Sequence, residues 1–257
     1  MNEEIRYLVE SYYDIQKLRI ETYNRIVSYV MNNSQKLFEN QYAHANKPSI
    51  IAELIVEGKI EYPDEIENIV WLHNNLYEIE KNLVKRLDEI TKDHPLRLHF
   101  LDRIRGIGPV LAAALIGWLS PIERFPNISK LWAYCGLAPG QKRRKGEKVN
   151  YNPKLKSLMW KIATSFEKQP SEKSRYRRLY EYKKEYLMNR KDLKSALERG
   201  EKGAKLHIRL LALRFTVKRF LADLWVEWRK LEGLPITKPY AHEKLGHEEY
   251  EEWKPDN

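Results

Sequence analysis

Residues 206–231 read LHIRLLALRFTVKRFLADLWVEWRKL, and the apolar side chains Leu206, Leu210, Leu213, Val217, Phe220, Leu224, Trp228 and Leu231 recur along it at steps of three and four. That period keeps one face of an α-helix apolar over about seven turns, whereas a half-buried strand needs strict alternation. The same period recurs upstream. Ile5, Leu8, Tyr12, Ile15, Leu18 and Ile26 predict a long helix over 5–29. Ile69, Leu76, Leu83 and Ile90 repeat every seven residues, joined by Leu72, Ile79 and Leu87, and predict a second long helix capped by Asp64. Between the two, Asn32-Asn33-Ser34, Lys47-Pro48-Ser49 and Tyr62-Pro63-Asp64 punctuate a looser stretch with a short helix at Ile50–Val56. The seam of the long helices is satisfied equally by pairing within the chain or between chains.

After His94-Pro95, Leu96–Arg105 reads as a helix, Gly106-Ile107-Gly108 interrupts it, and Pro109 opens another at the position where its missing N–H costs nothing. Further helices are predicted over Ile128–Cys135, Pro153–Phe166 with Asn152 as cap, and Ser171–Ala196. No period-two alternation occurs. The expected fold is therefore all-α: a long N-terminal helical hairpin or coiled coil, followed by a helical domain with a helix-hairpin-helix. The expected division is a dimerisation region at 1–95, a DNA-binding domain at 96–232 and a loosely packed tail at 233–257.

With 257 residues, 42% of them hydrophobic, the chain buries a core without disulfides, and its one cysteine, Cys135, has no partner within the chain. No stretch reaches the roughly 18 apolar residues of a membrane span, and no leader-like apolar run opens the sequence. These features predict a protein of a reducing compartment, cytoplasmic and nucleoid-associated, with no membrane partner. The net charge of +10 is concentrated: residues 140–191 carry 17 Lys and Arg against 5 Asp and Glu, whereas residues 1–95 carry 11 against 17. Such asymmetry points to a polyanion, and inside a cell the usual one is nucleic acid.

Three groups of residues are candidates for that contact. Gly106 and Gly108 permit a reversal whose N–H groups, with the helix start at Pro109, face a phosphate, and Arg103 and Arg105 flank them; the plainer reading is a glycine helix stop. Lys142, Arg143, Arg144, Lys145 and Lys148 precede Lys154 and Lys156 at a helix start, where cations oppose the macrodipole until a bound anion reverses the sign. This loop is the expected main anchor. Arg175, Arg177 and Arg178 are interleaved with Tyr176, Tyr180, Tyr182 and Tyr186, of which some form a buried stripe or, in the other reading, stack on unpaired bases. Histidines at His242 and His247 are five apart with Gly246 between, so they do not share the helical face that a zinc-protease motif needs.

The run Ile104-Arg105-Gly106-Ile107-Gly108-Pro109-Val110-Leu111-Ala112-Ala113-Ala114, then Arg124-Phe125-Pro126, then Leu131-Trp132-Ala133-Tyr134-Cys135-Gly136-Leu137-Ala138-Pro139, resembles the C-terminal transposase domain of the DEDD-type, bridge-RNA-guided insertion-sequence transposases. The resemblance covers 96–166 and, more weakly, 205–230. It implies DNA recombination and transposition chemistry carried by four acidic metal ligands in an N-terminal nuclease-like domain and by a serine in the loop after Gly-Leu-x-Pro. Here the N-terminal region reads as helix from the start, and the loop Gly140–Gly146 holds no serine, threonine or tyrosine. Ser157 lies beyond it, inside a helix with no activating base.

The expectation is thus a transposase-derived protein that binds duplex DNA through its phosphates, without catalysis, cofactor or metal, as a homodimer. The alternatives are an active or partner-dependent recombinase and a scaffold for structured RNA.

Overall fold

The helical periods of the sequence are realised as ten α-helices, and no strand occurs among the residues that the computed structural model describes, namely 2–37, 47–140, 145–237 and 253. In order they are α1 (Asn2–Leu37), α2 (Pro48–Val56), α3 (Glu67–Thr91), α4 (Pro95–His99), α5 (Pro109–Leu119), α6 (Ile128–Tyr134), α7 (Pro153–Glu167), α8 (Arg175–Asn189), α9 (Lys191–Glu198) and α10 (Ala204–Leu231). They fall into two compact units, one running to Ile90 and the other from Thr91 onward.

In the first unit α1 and α3 run antiparallel, because Gln16 and Arg19 meet Glu80 while Tyr23, further along α1, meets His73, further back on α3. Ile26 and Val30 close one end against Ile51, Ala52 and Ile55 of α2 and Ile66 and Val70. The buried stripe of α3 differs from the heptad seam. Val70, His73, Leu76, Glu80 and Leu87 are buried, in line with Ile66 of the turn before the helix, whereas Ile69, Leu83 and Ile90 are half-buried and Leu72 and Ile79 are exposed. The two sets are offset by roughly 65° around the helix at 100° per residue. The cause is the polar centre: Glu80 accepts from Gln16 (2.9 Å) and pairs with Arg19, and Gln16 also reaches Tyr12 (2.7 Å), which draws α3's acidic position into the seam. Asp64 does not cap α3. It lies in a 3-10 turn, Asp64–Ile66, that precedes the helix, with no side-chain cap in place.

His73 is the anomaly in this seam. It is buried, its Nδ1 lies 3.1 Å from Asn74 Oδ1, and its Nε2 has no hydrogen-bond partner. Burial holds its imidazole below the usual histidine range.

The second unit is wrapped around α10, which packs against α4, α6, α7, α8 and α9. Ala212, Leu213, Thr216, Val217, Phe220, Leu221, Leu224, Trp225 and Trp228 are buried, so the helix is enclosed through its middle; its ends, with Leu206, Leu210 and Leu231, are exposed. α5 is buried from Ala112 to Leu119 and has no polar face, the mark of a core helix. Two expected helices are interrupted. Leu96–Arg105 resolves into α4 and a 3-10 turn, Leu101–Arg103, because Phe100 leaves helical geometry to stack on Phe220 (6.1 Å) while Arg97 turns inward to Asp102 (3.0 Å) and Thr91 (3.0 Å). Ser171–Ala196 resolves into a 3-10 turn, α8 and α9. Ser174 caps α8, and the break at Arg190 places Asp192 in the first turn of α9, where it takes the Arg190 fork at 2.7 and 2.9 Å. Of the tail, only residues to 237 and Trp253 are described; Trp253 packs edge-on against Phe100 at 4.8 Å. His242 and His247 lie outside the described residues.

Candidate nucleic-acid interface

α7 organises the candidate residues, because its two ends hold different groups. At its start Asn152 accepts from the N–H of Lys154 (2.9 Å) and Leu155 (3.2 Å), as its position predicts. The backbone donors that a phosphate was expected to meet there are therefore partly engaged by the cap. The cations remain: Lys145, Lys148 and Lys154 are exposed, and Lys156 lies over the Tyr151 ring at 4.6 Å. Lys142, Arg143 and Arg144 lie outside the described residues.

At the far end of α7, Ser165 Oγ donates to the Gly106 carbonyl at 2.7 Å. Gly106 has φ +95°, and an added Cβ would stand 3.0 Å from that Oγ and 3.3 Å from Phe166, so both backbone and space demand glycine. Gly108 is different. Its backbone is extended, open space surrounds it, and α5 begins there without a side-chain cap, so this start keeps the uncapped N–H groups that α7 lacks. Arg103 and Arg105 are exposed beside this turn. Arg177 also comes to this end, donating to the Glu167 carbonyl and pairing with Glu181 at 2.8 Å; Arg178 donates to the carbonyls of Ser171 (3.0 Å) and Glu172 (3.3 Å). Arg175 is half-buried. The structure thus gathers Arg103, Arg105, Gly106, Gly108 and the α8 arginines around the end of α7, and Lys145, Lys148, Lys154 and Lys156 around its start, roughly 15–18 Å away at 1.5 Å per residue.

The tyrosines divide. Tyr176 and Tyr180 are buried, the first donating to Asp223 (3.0 Å) and the second to Glu167 (2.7 Å), whereas Tyr182 and Tyr186 are exposed. Glu167 is the junction of α7, α8 and α10: Arg209 binds it through both fork nitrogens at 2.7 and 2.5 Å. Those bonds, with that from Tyr180 and against its burial, hold the Glu167 carboxyl below the usual range, and burial together with this bond pushes the Tyr180 phenol up to about 12.

The remaining motif residues are structural. Arg124 stands over both Phe125 (4.7 Å) and Tyr134 (4.8 Å), and the Phe125 carbonyl accepts from Trp225 (2.8 Å) and Arg229 (3.3 Å) of α10. Arg214 donates to the carbonyls of Leu137 (2.8 Å) and Ala138 (2.9 Å), and Asn152 N–H donates to the Tyr134 carbonyl (2.9 Å), so both feet of the basic loop are fastened to the core. Gly136, at φ +71°, has Tyr151 2.9 Å from where a Cβ would stand.

Residues 98–177 match the transposase IS116/IS110/IS902 family. The match supports a transposase-type domain over α5–α7 and the start of α8, the stretch that carries both glycines, Arg124 and the fastened loop. No curated protein and no solved structure matches the chain.

Against that transposase background the nucleophile candidates are informative. Cys135 is fully buried and burial pushes its thiol up to about 12, so it carries no thiolate near neutral pH. Ser157 is exposed, but its Oγ donates to the Pro153 carbonyl at 3.1 Å, one turn back along its own helix. Among the described residues no group of three His, Cys, Asp or Glu side chains gathers in a metal-binding arrangement, and no helix is long and apolar enough to cross a membrane.

Arg209, Arg214, Lys218 and Trp160 had no place in the sequence reading. Each sits on a helix face that periodicity marks as solvent; the packing of α7 on α10 brings Trp160, Arg209 and Arg214 together, and that of α6 on α10 sets Lys218 against Trp132. Burial, with the Arg214 charge, holds the Lys218 ammonium below the usual lysine range, and it lies 4.0 Å from the Trp132 ring.

Proposed function

We propose that this transposase-derived protein binds duplex DNA through its phosphate backbone, without cutting or joining strands, as a homodimer. The observation that carries the reading is the net +12 of residues 140–191, which fall largely within or beside the transposase-type segment and flank α7. Cations at both ends of α7 suit a polyanion whose phosphates run past the helix, and their separation of roughly 15–18 Å is about half a turn of duplex. The dipole of α7 disfavours the lysines at its start, and an anion from outside would offset their charge. The absence of catalysis rests on the loop without a hydroxyl, the buried Cys135 and the tied Ser157 hydroxyl.

The dimer rests on the offset in α3. Leu72 and Ile79, with Ile69, Leu83 and Ile90 beside them, leave an apolar strip uncovered next to the buried stripe, and Leu18 of α1 is exposed as well. A second hairpin laid on that strip completes a four-helix bundle.

The test is fluorescence polarisation with a labelled duplex over a range of salt concentrations. Contact with about six phosphates gives a slope of log K against log salt near −5, and salt-insensitive binding overturns the reading. A covalent protein–DNA adduct on a denaturing gel overturns its non-catalytic part.

A further inference from the structure

Between α7 and the first half of α10 lies a cleft of about 670 Å³. Its floor is apolar, from the buried Met159 and Leu213, and Leu210, 39% exposed, stands at its edge. Trp160 forms one wall and is 45% exposed, an unusual setting for the largest side chain on a helix whose other outward residues are polar. The ring is not loose. Arg209 lies 5.6 Å from its centroid, and Arg209 is itself held by both carboxylate oxygens of Glu167, so the indole presents a braced face. The titratable residues of the cleft are equally one-sided. Lys156, Lys161, His207 and Arg214 line it, and no Asp or Glu does so among the described residues. Partial burial keeps the Lys161 ammonium below its usual range.

An apolar slot with an aromatic wall and a basic rim selects a ligand that is flat and apolar in one part and anionic in another. A nucleobase with its phosphate has that composition, and the volume lies within the range that encloses a ligand of that size. In a paired duplex the base faces are stacked and out of reach, so the occupant has to be unpaired. Of the four tyrosines that the sequence offers for stacking, Tyr176 and Tyr180 are buried and the exposed Tyr182 and Tyr186 do not line the cleft, whereas Trp160 does.

We infer that the cleft between α7 and α10 receives a single unpaired nucleotide, its base against Trp160 and Leu210 and its phosphate against Lys156 and Arg214. This rests on the nucleic-acid reading above and adds a structural preference to it: a bulged or looped-out strand over a matched duplex.

The test uses the full chain and two 20-base-pair DNA duplexes, one with a single extra 2-aminopurine as a bulge and one with 2-aminopurine paired, together with the RNA counterpart of the bulged probe. The bulged probe is expected to bind about tenfold tighter than the paired one, with quenching of the 2-aminopurine on binding. Whether the DNA or the RNA bulge shows the stronger effect names the strand. Trp160→Ala and, as a filling variant, Leu210→Trp should each remove the preference and the quenching while affinity for the paired duplex stays within twofold and the melting temperature shows the chain folded. Equal affinity of the parent for bulged and paired duplexes overturns the inference and leaves duplex binding standing; so does a preference that survives both variants. Failure to bind any of the probes overturns both.

Discussion

Replacing Glu167 by alanine removes one carboxylate and unfastens three helices. The side chain is 19% exposed and Arg209 35%, so their two-point ion pair sits at the edge of the protein and is discounted to about 1 kcal/mol for screening by solvent. Tyr180 is 2% exposed, and without Glu167 its hydroxyl has lost its acceptor, which costs about another 1 kcal/mol. The sum of about 2 kcal/mol lowers the melting temperature of a unit this size by about 4–8 °C. The pH dependence separates this account from simple loss of packing. The Glu167 carboxyl is held below its ordinary value in the folded state, so its contribution is fully present above the unfolded carboxyl pKa of about 4.3 and is lost as pH falls through the folded value. Differential scanning calorimetry of the parent and Glu167→Ala should therefore show a gap at pH 7 that narrows to about half below about pH 4, where the protonated carboxyl still accepts from Tyr180 but no longer pairs with Arg209. Glu167→Gln, which keeps an acceptor for Tyr180, should show about half the gap at pH 7. A gap that is the same at pH 7 and pH 3, or none at pH 7, refutes the reasoning.

Four further outcomes are expected. His73→Leu should stabilise the first unit by about 1–2 kcal/mol in urea denaturation, because it removes a buried nitrogen without a partner. The parent's first unit should lose stability as pH falls below about 6.5, since the unfolded imidazole takes the proton that the folded one resists, and the leucine variant should lack that loss; a destabilised variant counts against the assignment. Gly106→Ala should cost about 1–3 kcal/mol by thermal melting, and Gly108→Ala much less, whereas equal costs would contradict the backbone and space found at each. Joint replacement of Arg143, Arg144 and Lys145 by alanine should flatten the salt slope of duplex binding by about three and weaken all sequences alike, while unchanged binding places the phosphate contact elsewhere. Leu72→Glu with Ile79→Glu should convert a dimer to a monomer by light scattering, and a monomeric parent would dispose of the four-helix bundle.

Periodicity made α1, α3, α7 and α10 readable, because each buries a face set by near neighbours in the chain. It misplaced the seam of α3 because Glu80 and His73 are polar letters in a buried stripe, and what draws Glu80 inward, Arg19 and Gln16, is some sixty residues distant. The 3-10 turn after α4 escaped for a similar reason: Phe100 leaves the helix to reach Phe220, which no local pattern announces. At the candidate interface the cap of Asn152 and the strained Gly106 were legible, since both depend on the residue itself. The cleft was not. Trp160 and Arg214 look like stray surface residues until α7 lies on α10.

The fastening of the basic loop has a consequence for how such proteins diversify. Arg214 holds Leu137 and Ala138 at one foot, and the Asn152 N–H holds the other to Tyr134. A change of length between these two feet therefore costs the scaffold little, because the closure entropy of a loop with fixed ends changes only slowly with length. The loop is a replaceable cassette, and exchanging it between relatives, or drawing it from a random library, is a route to altered target choice on a constant frame.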